Sequence, residues 1–267
     1  MTFLQSDTVR YFTFSSLAIH NLTHAVFTRH GGVSPSPWYS LNLGATVGDS
    51  ATCVLENRQR AFHAVHCEYD TLFDVWQVHS DVVVTTDSPR LPGNPYQRAD
   101  AILTDSSNVT LMMRFADCVP ILLYDPHREV VGLVHAGWLG TVKGVVVNAI
   151  QAMQLNYHSQ PADIIAAIGP SIGPDHYLVG ADVIHQVNQV FGVDASGLFR
   201  QSTQVEPGKA YFDLWQANQR LLEKAGVHQI EIARICTACN LSDWYSHRAE
   251  SGRTGRFGAI IKLGRDG

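Results

Sequence analysis

Short apolar runs separated by polar turns recur along the whole chain. Those at 24–28 (HAVFT), 73–79 (FDVWQVH), 81–86 (DVVVTT), 101–105 (AILTD), 109–115 (VTLMMRF), 120–125 (PILLYD), 130–136 (VVGLVHA), 163–169 (DIIAAIG), 230–236 (IEIARIC) and 257–263 (FGAIIKL) read as buried strands. Between them the apolar period lengthens to that of a helix. After Asp49, the segment TCVLENRQRAFHAVH places Val54, Leu55, Arg58, Ala61, Phe62 and Val65 along one side. After Thr141, VKGVVVNAIQAMQLNY repeats apolar residues at 142, 145, 146, 149, 150 and 153. Two more helices are expected over 182–191 and 213–225, the second closed by Gly226 in the position that favours glycine. Helices and strands interleave without a Pro/Gly/Ser linker, charge block or repeat, which predicts a single α/β domain over residues 1–267.

The residues DPHRE at 125–129 suit a turn, so the flanking strands are expected to form a hairpin. Cys118 then lies just before the first strand and His135 at the end of the second, at the same sheet edge. His79 is expected to end another strand in VWQVHSD. One thiolate and two imidazoles can hold a metal and leave a fourth tetrahedral position open. The intervals, 39 residues from His79 to Cys118 and 17 from Cys118 to His135, match no compact zinc motif. A small core thiol and two hydrogen-bonded strand-end histidines explain the same residues. VHAGWLGT adds a small-residue turn opening a helix whose first amides favour an anion, unless Gly137 and Gly140 serve the turn alone.

Composition narrows the partners. With 45% hydrophobic and 16% charged residues the chain can bury an ordinary core. Nineteen Lys+Arg against 24 Asp+Glu give a net charge of −5, and no basic run suits nucleic acid or an anionic membrane. Small molecules remain. MTFLQSDTVRYFTF lacks the features of a signal peptide, and no stretch approaches the roughly 20 apolar residues of a spanning helix. A cytoplasmic monomer is the expectation. Five cysteines, Cys53, Cys67, Cys118, Cys236 and Cys239, suit reduced thiols better than a disulfide framework.

FTRHGGVSPSPWYSLNLG, VGD, ENR, WQVHSD, ADAILTD, ADCVPILLYDP, GLVHAGWLGT, IGPSIG and SHRAESGRTGR follow one another between residues 27 and 256. In that order they resemble the laccase-domain family, once labelled polyphenol oxidase, later purine nucleoside phosphorylase, and also described as peptidoglycan-editing. The resemblance implies a zinc site of His79, Cys118 and His135, which copper could also occupy. It implies a four-layer αββα sandwich related to a toxin deamidase that uses a Cys–His pair. It also implies phosphorolysis of adenosine, inosine, guanosine and methylthioadenosine to free base and ribose 1-phosphate, with adenosine deamination as a second activity.

Beside the catalytic Cys118, His79 and His135, Asp117 could orient a ligand histidine or cap the turn before Pro120. Arg58 and Asn42 are candidates for phosphate and ribose, although an arginine on a helix often snorkels to the surface. Gln77 could touch substrate or pair with backbone. Arg248 heads a tail with Arg253 and Arg256 that suits an anion clamp or a solvated loop. The chain departs from the family pattern at Ala45, Thr46 and Ala249. The CTAC pair, Cys236 and Cys239, lacks the second pair of a zinc ribbon and is read as core or redox-silent.

Three other functions compete with this one, and the second of them uses the same residues. A multicopper phenol oxidase needs a histidine-rich cluster, and the 13 histidines contain no His-x-His pair. A metal-free Cys118 activated by His135 would make a hydrolase editing cell-wall precursors. A nucleoside-binding protein would show binding without turnover.

Overall fold

The computed structural model describes residues 2–200 and 206–264. From the N-terminus come β1 (Thr2–Ser6), β2 (Val9–Thr13), α1 (Ser15–Ala18), β3 (Leu22–Phe27), α2 (Ala51–Ala64), β4 (Leu72–Phe73) and β5 (Val83–Thr85). The middle holds β6 (Ala101–Thr104), β7 (Thr110–Phe115), β8 (Val119–Asp125), β9 (Val130–Ala136), α3 (Trp138–Lys143), α4 (Val145–Tyr157) and β10 (Ile165–Ile168). Then follow β11 (Leu178–Val179), α5 (Ala181–Phe191), β12 (Phe199–Arg200), β13 (Ala210–Phe212), α6 (Leu214–Lys224), β14 (Gln229–Ile232) and β15 (Phe257–Leu263).

Alternation along the central strands builds the layers. In β8, Leu122 and Tyr124 point to one side while Val119, Ile121 and Leu123 point to the other, as the pleat requires. In β15, Phe257, Ala259 and Ile261 oppose Ile260 in the same way. Two six-stranded sheets result, β1-β2-β3-β15-β7-β4 and β14-β10-β8-β9-β6-β5. Their inner faces share one core, in which Leu111, Met113, Phe115 and Phe257 meet Ile102, Leu122 and Leu133. The outer face of the second sheet packs on α4, α5 and α6 through Ile150, Val187 and Leu221. That of the first packs on α2 through Ala61 and Phe62. The order helix, sheet, sheet, helix is the four-layer αββα sandwich expected.

Local chemistry sets several boundaries. Asp213 caps α6 by accepting the Gln216 amide at 2.9 Å, and Gly226 turns the chain away at φ +92°. The apolar period that predicts one helix after Thr141 is interrupted, because Gly144 adopts φ +83° and separates α3 from α4. On α2 the buried face carries Val54, Asn57, Arg58, Ala61, Phe62 and Ala64, whereas Leu55 is exposed.

The strand expected over 73–79 is corrected. Only Leu72 and Phe73 pair with β7, and Trp76 makes an isolated bridge to Arg98. Beyond it the amides of Val78 and Ser80 are taken by Asp100 Oδ2 at 3.1 and 2.6 Å, so no neighbouring strand receives them. His79 therefore sits in a loop.

Candidate metal centre and active site

The expected hairpin forms. β8 and β9 pair antiparallel with Pro120 opposite His135 and Val119 opposite Ala136. One step further in the same register places Cys118 opposite Gly137. A Cβ on Gly137 would stand 2.8 Å from Cys118 Sγ and 3.1 Å from His79 Cδ2, so the glycine leaves the room that the sulfur and the imidazole occupy. The small turn after β9 thus serves the site directly.

His79 reaches the hairpin from its loop with φ +56°, in the left-handed region that non-glycine residues seldom adopt. Asp117, beside Cys118, is held at φ +81°. Such backbones persist where their surroundings fix them, and they gather at functional sites. Here Asp100 fixes the first: besides the two amides, it accepts the Ser80 hydroxyl at 2.8 Å. Its other oxygen lies 2.8 Å from His135 Nδ1. A carboxylate only accepts, so Nδ1 carries a proton, and Nε2 is the ring nitrogen left for a metal, which would displace the proton it holds.

The ligand atoms of His79, Cys118 and His135 all lie within 4.8 Å of one another. Cys118 Sγ is 3.8 Å from His79 Nε2. Burial alone would raise the Cys118 pKa, but the charge and hydrogen bonds of His135 and His79 outweigh it and bring the thiol down to about 6. His135 moves the opposite way, to about 9: burial opposes its charge, and Cys118 and Asp100 more than restore it. Burial likewise works against the Asp100 charge, yet hydrogen bonds from His135 and Ser80 hold it at about 2. A thiolate-favouring cysteine, two imidazoles and a carboxylate behind one of them form a donor set that fits a tetrahedral metal with one open position.

The trio lies in a cleft of about 480 Å³. Arg58, Arg114, Arg248 and Arg256 line it, with Asp117 as the acidic residue among them, and Trp76, Tyr96, Trp138 and Tyr177 add aromatic surface. Arg114 Nη1 and Arg90 Nε hold the buried Asp74 carboxylate at 2.6 and 2.9 Å, and Arg58 Nη1 lies 3.6 Å from it. Three guanidinium groups on one carboxylate leave net positive charge, and two of them, Arg58 and Arg114, line the cleft. The short α3, six residues long, offers much less dipole than the longer helix expected there.

A sequence profile described as multi-copper polyphenol oxidoreductase laccase matches residues 23–264. The chain belongs to that laccase-domain family. Relatives include a protein of Geobacillus stearothermophilus named purine nucleoside phosphorylase YlmD, 37% identical over 88% of this chain and 87% of its own length. A Deinococcus radiodurans protein named purine nucleoside phosphorylase is 38% identical over 91% and 89%. The solved structure of the Geobacillus YlmD superposes with a TM-score of 0.90 at 32% identity, covering 98% of this chain and 99% of that one.

Within this laccase-domain fold the remaining expected residues separate. Arg58, Gln77 and Arg248 line the cleft, whereas Asn42 is wholly buried and does not. The Asn42 Oδ1 accepts the amides of Gly44 and Arg256 at 3.0 and 2.8 Å, and its Nδ2 donates to Asp49. Asn42 can therefore act on a ligand only through the cleft residues it positions. Arg58 is buried, not snorkelling, and donates to the Leu43 carbonyl at 3.0 Å. Gln77 pairs with the Arg114 backbone at both its amide nitrogen and oxygen, at 2.7 and 2.9 Å. Asp117 does not orient a histidine: its oxygens accept the Thr237 hydroxyl and the Arg248 amide, each at 2.7 Å. Asp100 takes the role considered for Asp117.

Arg248 donates to the Leu178 carbonyl at 2.7 Å and lies over the Tyr177 ring. Arg256 joins the cleft, and Arg253 is exposed outside it. Of the three positions read as departures from the family pattern, Ala45 and Thr46 line the cleft and Ala249 does not. Of the CTAC cysteines, read as core or redox-silent, Cys236 is a buried core residue, whereas Cys239 is exposed and so not core, and both face His176. Asp100 lay within a quoted motif, but its role depends on a contact 35 residues away. Nothing local in the sequence marks Arg114 or His176.

Proposed function

We propose that the protein is a zinc-dependent purine nucleoside phosphorylase accepting adenosine, inosine, guanosine and methylthioadenosine, with adenosine deamination as a second activity. It acts as a cytoplasmic, single-domain monomer. The observation that carries the reading is one cleft uniting the His79–Cys118–His135 donor set, four arginines and aromatic rings. The relatives named purine nucleoside phosphorylase support the phosphorylase part of the reading.

Inorganic phosphate sits among Arg58, Arg114, Arg248 and Arg256, with its charge met by guanidinium donors. The nucleoside base packs against Trp76, Tyr96 or Tyr177, which leaves the ribose between base and phosphate. A phosphate oxygen bonds to C1′ as the bond from C1′ to the base breaks, and the departing purine takes that electron pair and the proton that the hydrogen phosphate gives up. Fixed cationic groups around the anion lower the cost of bringing the reactants together. Zinc held by His79, Cys118 and His135 would supply a Lewis acid with an open position, the chemistry deamination also requires. Asp100 keeps His135 oriented, and Asp117 holds the Arg248 backbone at the cleft wall.

Product analysis with adenosine and inosine, with and without phosphate, tests the reading. Free base and ribose 1-phosphate should form only with phosphate. Release of product at an equal rate without phosphate would overturn it. Arg58→Ala should raise the KM for phosphate about tenfold, the worth of one charged hydrogen bond, with little change for the nucleoside.

A second reading rests on the Cys118, His135 and Asp100 chain, the order of nucleophile, base and orienting acid in a thiol hydrolase. That reading gives His79 no task. Alkylation of Cys118 in chelator-treated protein would distinguish them, since a thiol hydrolase turns over until it is alkylated.

A further inference from the structure

The CTAC turn meets a histidine from another part of the chain. The ligand atoms of His176, Cys236 and Cys239 all lie within 4.8 Å of one another. His176 Nδ1 is 3.5 Å from Cys239 Sγ and 3.9 Å from Cys236 Sγ, so one imidazole addresses both sulfurs. The Gly173 amide donates to Cys236 Sγ at 3.1 Å, which fixes where that sulfur sits. A Cβ on Gly173 would stand 3.1 Å from the same sulfur and 2.9 Å from its Cβ, so the loop approaches the cysteine as closely as it can. The turn itself is fixed by Asn240 Nδ2 donating to the Cys236 carbonyl at 2.8 Å.

We propose that His176, Cys236 and Cys239 bind a second thiophilic divalent cation, of the zinc class, at a structural site. Two thiolates and an imidazole are three of the four ligands of a structural zinc centre, and C-x-x-C on a turn is the usual source of two of them. A disulfide between the cysteines would leave the convergence of His176 unexplained. The fourth position faces solvent, since His176 and Cys239 are both exposed.

The site clips two segments that carry parts of the cleft. One, from Ser171 to Tyr177, bears Ile172 and Tyr177 on the cleft wall. The other holds Thr237, between the two cysteines, whose hydroxyl binds Asp117. The two segments also meet through backbone bonds from Ser171 to Ile235 and from Thr237 to Ser171, at 3.1 and 3.0 Å. A cation here would fasten the wall that Asp117 and Tyr177 share, without touching the first centre.

Cobalt(II) titration of chelator-treated, reduced full-length protein provides the test, because thiolate ligands give cobalt a charge-transfer band and a tetrahedral site gives strong visible bands. The native protein should take up two equivalents and Cys118→Ala one, with the thiolate band kept. Cys118→Ala combined with Cys239→Ser, a change at an exposed position, should take up none. Cobalt uptake by the double variant equal to that of Cys118→Ala would overturn the proposal. So would a Cys118→Ala protein that binds no cobalt under reducing conditions, or one whose cysteines pair as a disulfide even with the metal in excess.

Discussion

Asp100 holds one imidazole and three polar groups of the neighbouring loop at once, so the charge on that carboxylate fixes the aim of two ligands. Asp100→Asn keeps its size but loses the charge and the certainty of the His135 tautomer. Metal affinity should fall about 10–100-fold, as competition with a chromogenic chelator would measure. Unchanged affinity would mean that the backbone alone positions the ligands. Gly137 bears on the same site through space alone. Gly137→Ala sets a methyl 2.8 Å from the Cys118 sulfur, and the fold can absorb it only by moving the thiol or His79. The variant should fold, keep the far-ultraviolet circular dichroism of the native protein, and lose stoichiometric metal at the first centre. Full metal content would show that the hairpin end yields instead.

On β3, His24 is buried and its Nε2 accepts the Phe14 amide at 2.9 Å, which a protonated ring cannot do. Burial lowers its pKa from 6.5 to about 4, against a smaller pull from Glu231. Because the folded pKa is the lower one, the unfolded chain binds the proton first as pH falls. Stability is fully present above about 6.5 and is lost as pH drops from there towards 4, by at most about 3 kcal/mol. Urea melts at pH 7 and 4.5 should show that loss, and His24→Gln should flatten it; equal slopes would reject the assignment. The β8–β9 hairpin was legible because both strands are apolar on each face and the turn between them is polar. The run at 73–79 misled because its alternation is real while its amides go to a side chain, Asp100, rather than to a strand. β1 and β2 at the sheet edge were missed: β1 is almost wholly exposed and carries little apolar signal. His79, Cys118 and His135 were readable from motifs, whereas Asp74 with its three arginines, and His176 with CTAC, unite residues too distant in sequence for any local pattern to join them.

The molecule places its chemistry at one end of two sheets, where Cys118 packs against their shared core and Phe115 of that core lies 5.4 Å from the His135 ring. Leu122 is wholly buried on the inner face of β8, among side chains of both sheets. Leu122→Ala should cost about 2–5 kcal/mol in denaturant melts while the remaining folded protein keeps its metal affinity. A loss of affinity equal to the loss of stability would show that site and core are one cooperative unit. The acidic chain as a whole, at −5, still presents four arginines to its cleft, so the field that matters to an anion is local. The hairpin register carries a further consequence. Seven residue pairs, about 20 Å of strand, run from the site end of the hairpin, His135 in the second of them, to the turn after Asp125, whose carboxylate holds the amides of His127 and Arg128. A one-residue deletion in that turn would shift β9 against β8, turn Cys118 and His135 to opposite faces, and disable a centre it never touches. Length in that turn, more than its sequence, is therefore what inheritance must preserve.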